Sequence, residues 1–251
     1  MTSAGHSPRE SRTLNRVVGA PRTTFSYGGG RGGAEVAPAR RITPGISLRR
    51  VLRVISWNVL SLSDDRRLPL LSGELSRLRV DVVGLSETRR PGSGETSSGG
   101  YTYYWSGMSN GHRDRGVAIG ISSKLQPSVV EVTPVDERIM RVRMKHTLGF
   151  MSLVAVYAPT EVRKTEEKEM FYAKLNSVLD QCPPRDTLIV LGDFNATTGT
   201  VRDGYELCVG PHGSGTRNTQ QFSASEFCKV QKVENCRFLV PETRAAPLDM
   251  V

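Results

Sequence analysis

Two segments of this chain are apolar where a half-exposed strand would alternate. Residues 80–87 read VDVVGLSE, and residues 187–199 read TLIVLGDFNATTG, opening on the apolar run 188–191. Strands of this kind are buried on both faces, so each side must be covered by helices or by a second sheet. Each is preceded by a segment at helical spacing. Before the first, Leu68, Leu71, Leu75 and Leu78 recur every three or four residues. Before the second, residues 166–179 place Met170, Phe171, Leu175, Val178 and Leu179 on one face. A further strand, VLRVISWNV at 51–59, precedes the first helix, and strand–helix–strand implies a parallel pair with a crossover helix.

Between these units run short strands bounded by turn residues: YTYYWSG (101–107), RGVAIGIS (115–122), SVVEVTPV (128–135), RIMRVRMKH (138–146) and GFMSLVAVYAP (149–159). Many strands and few helices fit two packed mixed β-sheets with helices outside better than one doubly wound sheet. After Gly199 the pattern weakens. Residues 204–218 read as a loop, 219–231 as one helix, and the last fifteen or so residues show no element.

Several strands end on polar groups: Asn58 in SWNV, Glu87 in LSETR, Tyr157 in VYAPT, and Asp193 with Asn195 in GDFNA. Singly, each has an ordinary reading as a turn residue, a solvated acid or a packed ring. Together they supply a carboxylate and an amide for a hard cation, a second Asp–Asn pair, and a phenol. Phosphoester hydrolysis with a divalent metal needs that set. Mg²⁺ takes oxygen ligands and keeps several waters, and a bound metal neutralises developing charge and lowers the pKa of its water.

In their order and spacing, ISWNV, GLSETR, RGVAIGIS, VYAPT and LGDFNA resemble the endonuclease/exonuclease/phosphatase superfamily. Its members include abasic-site endonucleases, pancreatic-type DNase and inositol phosphatases. VGPHGSGTRN followed by EFC narrows the likeness to endonuclease domains of non-LTR retrotransposons of the RTE/BovB type. The resemblance covers residues 51–228 and implies a four-layer α/β sandwich. It also implies roles. Asn58 and Glu87 sit at a Mg²⁺ ion (or Mn²⁺), with Glu87 the direct ligand. Tyr157 contacts the phosphate, Asp193 positions or deprotonates the attacking water, and Asn195 hydrogen-bonds a phosphate oxygen. Gly192 is expected to end its strand so that Asp193 and Asn195 face the scissile phosphate.

The family closes with an Asp in an Ile-Asp-Tyr type strand and with a Ser-Asp-His, and neither follows Cys228; Asp249 is followed by Met250. His6, His112, His146 and His212 are poor substitutes by their loop and arm positions. The chain therefore reads as C-terminally truncated, with an open sheet edge, and slow turnover or none is expected of it. Two other readings stay open: a catalytically inactive nucleic-acid or partner-binding protein, and an inositol or lipid phosphate hydrolase.

Charge bears on that choice. Of the net charge of +9, residues 1–53 carry +8, from ten Arg, no Lys and two acids, and the remainder carries +1. The basic excess belongs to an arm, residues 1–50, rich in Ser, Thr, Gly, Pro and Arg and read as disordered. A transit peptide is the alternative reading of that arm. Its Arg40, Arg41, Arg49 and Arg50 are the expected nucleic-acid contacts, with DNA as partner. Residues 51–228 make the domain and 229–251 an irregular tail. The longest apolar-leaning run, 150–158, is far short of the ~20 residues a membrane span needs. Four irregularly spaced cysteines argue against a zinc site or a disulfide framework. A monomer in the nucleus or cytoplasm, not secreted, is expected.

Overall fold

The computed structural model describes residues 51–195 and the strand Cys236–Leu239. The arm with its four named arginines, the loop at 204–218 and the helix expected at 219–231 lie outside the described residues.

Two strand–helix–strand units organise the chain. In the first, β1 (Val54–Asn58) leads through α1 (Leu68–Arg77) to β2 (Val82–Ser86), and β1 pairs parallel with β2 from Val54 opposite Val82 to Asn58 opposite Ser86. Pro69 sits in the first turn of α1, where no backbone donor is lost. Leu68, Leu71 and Leu75 are buried, whereas Leu78, one residue past the helix, is half-exposed. All five residues of β2 are buried, as an apolar run covered on both faces must be.

The second unit repeats the pattern: β8 (Gly149–Tyr157), α2 (Thr165–Asp180) and β9 (Thr187–Asp193), with β8 parallel to β9 from Met151 opposite Thr187 to Tyr157 opposite Asp193. Met170 departs from expectation, being 66% exposed. The buried face of α2 is set by Phe171, Leu175, Val178 and Leu179. At 3.6 residues per turn, Met170 lies more than ~100° around the helix from their mean direction.

The remaining strands are antiparallel additions: β3 (Ser93–Ser98), β4 (Tyr101–Ser106), β5 (Val117–Ser122), β6 (Val129–Pro134) and β7 (Ile139–His146), with β10 (Cys236–Leu239) pairing parallel to β9. One sheet has the order β1-β2-β5-β4-β3 and the other β10-β9-β8-β7-β6. Two features differ from the sequence reading. β3, SGETSS, has no apolar residue and forms because a two-glycine turn at Gly99 and Gly100, both at positive φ, folds it back on β4. β10 pairs with β9 over Leu188 to Leu191, so the strand edge expected to be open there is occupied, and the tail contains an element.

Three apolar clusters fix the layers. Leu68, Leu71 and Leu75 of α1 pack on Val83, Leu85 and Tyr103 of the first sheet. Phe171, Leu175 and Val178 of α2 pack on Val154, Val156 and Val190 of the second. Between the sheets lie Val82, Ile119, Met140, Leu153 and Leu191. The order is helix, sheet, sheet, helix, the four-layer sandwich expected. The sheets approach closely at Gly84, where a Cβ would stand 2.6 Å from that of Leu191. Among the described residues no helix is long and apolar enough to cross a membrane.

One buried ion pair anchors the start of β9. Arg143 of β7 donates from Nε and Nη2 to Asp186, at 2.7 and 2.9 Å, and Ser152 of β8 donates its hydroxyl at 2.8 Å. Burial pushes the Asp186 carboxyl up, but the hydrogen bonds from Arg143 and Ser152 outweigh it and hold it below its ordinary value. A depressed pKa means that its stabilisation is present above the unfolded pKa of about 3.9 and is lost as pH falls through the folded value. Asp186→Ala is expected to cost about 2–4 kcal/mol at neutral pH, because it strands a guanidinium, and clearly less at pH 3. Urea unfolding at the two pH values checks this, and an equal loss at both rejects it.

Candidate active site

The four strands of the two parallel pairs, β1, β2, β8 and β9, deliver Asn58, Glu87, Tyr157 and Asp193 at their C-terminal ends. In open α/β sheets that end is where ligands bind. Here two sheets contribute, and one amide joins them. Asn58 Nδ2 donates to Glu87 Oε1 at 2.8 Å, within the first sheet, and to Asp193 Oδ2 at 3.3 Å, across to the second. Its Oδ1 accepts the Leu60 N–H at 3.1 Å, which fixes the amide with its nitrogen toward the carboxylates.

Glu87 follows β2 at φ 55, a left-handed conformation that costs a non-glycine residue roughly 1 kcal/mol or more. The loop is held there by backbone bonds from Thr88 N to Gly116 O (3.0 Å) and from Leu62 N to Thr88 O (2.7 Å). The outer Glu87 oxygen meets half-exposed Arg89 at 3.3 Å.

Asp193 is fixed from two sides: Asn58 on Oδ2, and the Asn195 N–H on Oδ1 at 2.8 Å. Asn195 adopts φ 48, which Asn tolerates, and its Nδ2 donates to Ala158 O at 2.7 Å. Phe194, between them, is 1% exposed and packs with the α2 cluster. Alternation along the chain thus sends the phenyl ring into the core and two polar side chains to the site. Burial pushes the Asp193 carboxyl above its ordinary value, opposed by the Asn195 and Asn58 bonds and reinforced by the Glu87 charge.

Gly192 does not end its strand: β9 runs through it to Asp193. Its φ of 144 and the approach of Val156 O, 1.9 Å from where a Cβ would stand, explain the glycine. It lets β9 press against β8 and brings Asp193 opposite Tyr157.

Burial pushes the Tyr157 phenol up to about 12, helped by the charges of Glu87 and Asp193 and by a hydrogen bond to Glu87, and opposed by Arg138. It is therefore a donor at any physiological pH, not a base. Arg138, missed in the sequence, lies with its guanidinium carbon 5.5 Å from the Tyr157 ring centre. It donates to Tyr157 O at 3.0 Å and to Glu167 of α2 at 2.7 Å. Its backbone is set by Asp136, whose carboxylate caps the turn into β7 and accepts the Arg138 N–H at 2.8 Å. A cavity of about 300 Å³ adjoins Tyr157, lined by Arg115, Arg138, Arg163, Asp114, Thr160 and Met108.

The donor set fits a hard divalent cation. Two carboxylates, both within reach of one amide, supply oxygen only, and Mg²⁺ needs one or two such groups. Among the described residues no three His, Cys, Asp or Glu side chains gather as a closed cage would require. His146 is buried in the β7–β8 turn, its Nε2 on Phe150 O at 2.9 Å and its Nδ1 accepting the Leu148 N–H at 3.1 Å.

Comparisons with known proteins bear on the family and the fold. The sequence profile of the Endonuclease/Exonuclease/phosphatase family matches residues 55–221. Craniofacial development protein 2 of Bos taurus is 28% identical over 191 residues, 75% of this chain and 32% of that protein. Its counterpart in Tragulus javanicus is 27% identical over 75% of this chain and 33% of that protein. The chain thus spans about a third of the length of the curated relatives it matches. Among solved structures, the endonuclease domain of TRAS1, a telomere-specific non-LTR retrotransposon, superposes with a TM-score of 0.50 at 16% identity, covering 71% of each chain. The AP endonuclease LMAP of Leishmania major gives 0.50 at 14% identity, over 72% of this chain and 65% of that one.

Proposed function

The chain belongs to the endonuclease/exonuclease/phosphatase family, and we propose that it is a divalent-metal-dependent phosphodiester hydrolase acting on DNA. The observation that carries this reading is the amide of Asn58 tying Glu87 to Asp193 across the two sheets. Two carboxylates held within reach of one nitrogen have a purpose if a cation and a water lie before them.

A Mg²⁺ or Mn²⁺ ion, held by Glu87 and steadied by Asn58, would supply charge neutralisation at the phosphate and a more acidic water. Asp193 would orient the attacking water and accept its proton, and burial makes it a better base than an exposed Asp. Tyr157, protonated, donates to a phosphate oxygen once substrate is present. Asn195, fixed at the end of β8 through Ala158 O, hydrogen-bonds another. Arg40, Arg41, Arg49 and Arg50 of the arm contact the DNA backbone without reading its sequence. The choice of DNA rests on that arm and on two fold neighbours that are by name endonucleases.

The test is nicking of supercoiled plasmid by the full chain with Mg²⁺ or Mn²⁺, against the same reaction in EDTA. Metal-dependent nicking supports the reading. Metal and DNA binding without nicking favours a second one, a binding scaffold that keeps the site without turnover. Glu87→Ala is expected to weaken Mg²⁺ or Mn²⁺ affinity by about 10²-fold or beyond detection in calorimetry, since an amide does not replace the lost charge. Unchanged affinity in this variant rejects Glu87 as the ligand.

A further inference from the structure

The opposite end of the first sheet carries a second cleft that the proposed chemistry does not use. It measures about 840 Å³ and lies where β1 and β2 begin, where α1 ends, and where the β3–β4 turn and the end of β5 meet. That volume is in the usual range of small-molecule sites, about 300–1,000 Å³. Asp81 opens β2 on this side and Glu87 follows it on the other, so roughly 20 Å of strand separates the cleft from the candidate active site.

Its walls are pinned. Tyr101 OH donates to Val80 O at 2.6 Å, Ser122 N to Asp81 O at 3.0 Å, and Ser123 N to Gly100 O at 2.8 Å. Ser72 of α1 clamps the hairpin by donating to Ser98 O at 2.9 Å, and a Cβ at Gly99 would meet the Ser72 Cβ at 2.4 Å. The lining carries Arg53, Arg79 and Lys124 against a single carboxylate, Asp81, an excess of two positive charges. Asp81 is engaged, its Oδ2 accepting the Arg53 N–H at 3.0 Å.

Two further observations mark the wall of this cleft. Ser122 stands in the wall of this cleft, is 7% exposed, and has its Oγ buried without a hydrogen-bond partner. Buried polar groups without partners are uncommon and call for an explanation. Arg79 occupies φ 55 just past α1, with Arg79 N on Ser76 O (3.0 Å) and Val80 N on Leu75 O (2.9 Å). That is the Schellman helix end, where glycine is the favoured residue. Arg79 thus takes left-handed strain at a position glycine favours, and it lines the cleft.

We propose that this cleft binds a phosphate group, with Arg79, Lys124 and Arg53 supplying charge. The phosphate comes either from a free phosphorylated compound or from a nucleic-acid backbone passing the rim. The test is calorimetry of the full chain with inorganic pyrophosphate in EDTA, alongside duplex DNA binding, for wild type, Arg79→Gly and Lys124→Ala. Each variant is expected to weaken pyrophosphate binding about tenfold or more, the worth of a charge-assisted hydrogen bond. Arg79→Gly should also melt at or above the wild-type temperature, since glycine relieves the left-handed strain, which separates lost binding from lost fold. A parallel drop in duplex affinity identifies the backbone as the source, and unchanged duplex affinity identifies a free compound. If neither variant alters pyrophosphate or duplex binding, the proposal is wrong, whatever the plasmid assay reports about the active site.

Discussion

Asp193→Asn is expected to lose metal-dependent nicking by a factor of about 10²–10⁴, the usual worth of a general base, while the protein melts no lower than wild type. The two halves of this expectation have one cause. The side chain is desolvated beside Glu87, and burial raises its pKa. A raised folded-state pKa means that the group favours its neutral form. Its stabilising contribution is complete below the unfolded pKa of about 3.9 and is lost as pH rises through the folded value. At neutral pH the buried charge therefore costs stability. Asn is neutral and keeps the acceptor that the Asn195 N–H needs on Oδ1, and relief of the buried charge offsets the loss of the 3.3 Å bond from Asn58 Nδ2 to Oδ2. It keeps shape and gives up basicity, the pattern of a site where function is retained at the expense of stability. Melting in EDTA and plasmid nicking in Mg²⁺ measure the two effects separately. Nicking retained in Asp193→Asn would remove Asp193 from the chemistry.

Much of this arrangement was legible in the sequence because a few residues carried strong, redundant signals. β2 and β9 are apolar and bounded by polar groups, and they form as read. Leu68, Leu71 and Leu75 of α1 fall on one buried face because of their spacing. What escaped depends on partners distant in sequence. β3 has no strand signal of its own; the Gly99–Gly100 turn folds it back on β4, and Gly94 leaves room for the Trp105 ring, which a Cβ would meet at 2.6 Å. β10 is four residues long and acquires its identity from the open edge of β9. Met170 passed as apolar on a helix whose inner face is one residue further on.

In the site, the polar strand ends were visible but the ties between them were not. No pattern announces that the amide of Asn58 reaches Asp193, 135 residues away. Arg138 looked like one more arginine of an alternating strand. Its interest arises from Tyr157 on β8 and Glu167 on α2, which tertiary structure alone brings to it. Spacing therefore identified which residues to place together, and sheet packing decided how they touch.

Gly192 shows how closely fold and site are joined, and its substitution should have a large effect on folding. A Cβ there would stand 1.9 Å from Val156 O and 2.8 Å from its carbonyl carbon, both backbone atoms that a rotamer change does not move. The φ of 144 adds strain for any L side chain, of order 1–3 kcal/mol. With the overlap included, Gly192→Ala is expected to cost about 4 kcal/mol or more, a magnitude reserved for severe backbone conflict. Much of a domain's ~5–15 kcal/mol would go. If the chain instead relieves the overlap by moving β9 away from β8, Asp193 moves with it relative to Tyr157, its register partner. A displacement of about 1 Å at catalytic groups is enough to cost 10²-fold in rate. Fold and activity thus suffer by the same contact. Gly73 is the control: it lies in α1 with nothing within 4 Å of its would-be Cβ, so Gly73→Ala should gain about 0.5–1 kcal/mol from helix propensity. Urea unfolding of both variants gives the contrast. A Gly192→Ala protein as stable as wild type would mean that β8 and β9 do not approach as described, and the juxtaposition of Tyr157 with Asp193 would fall with it.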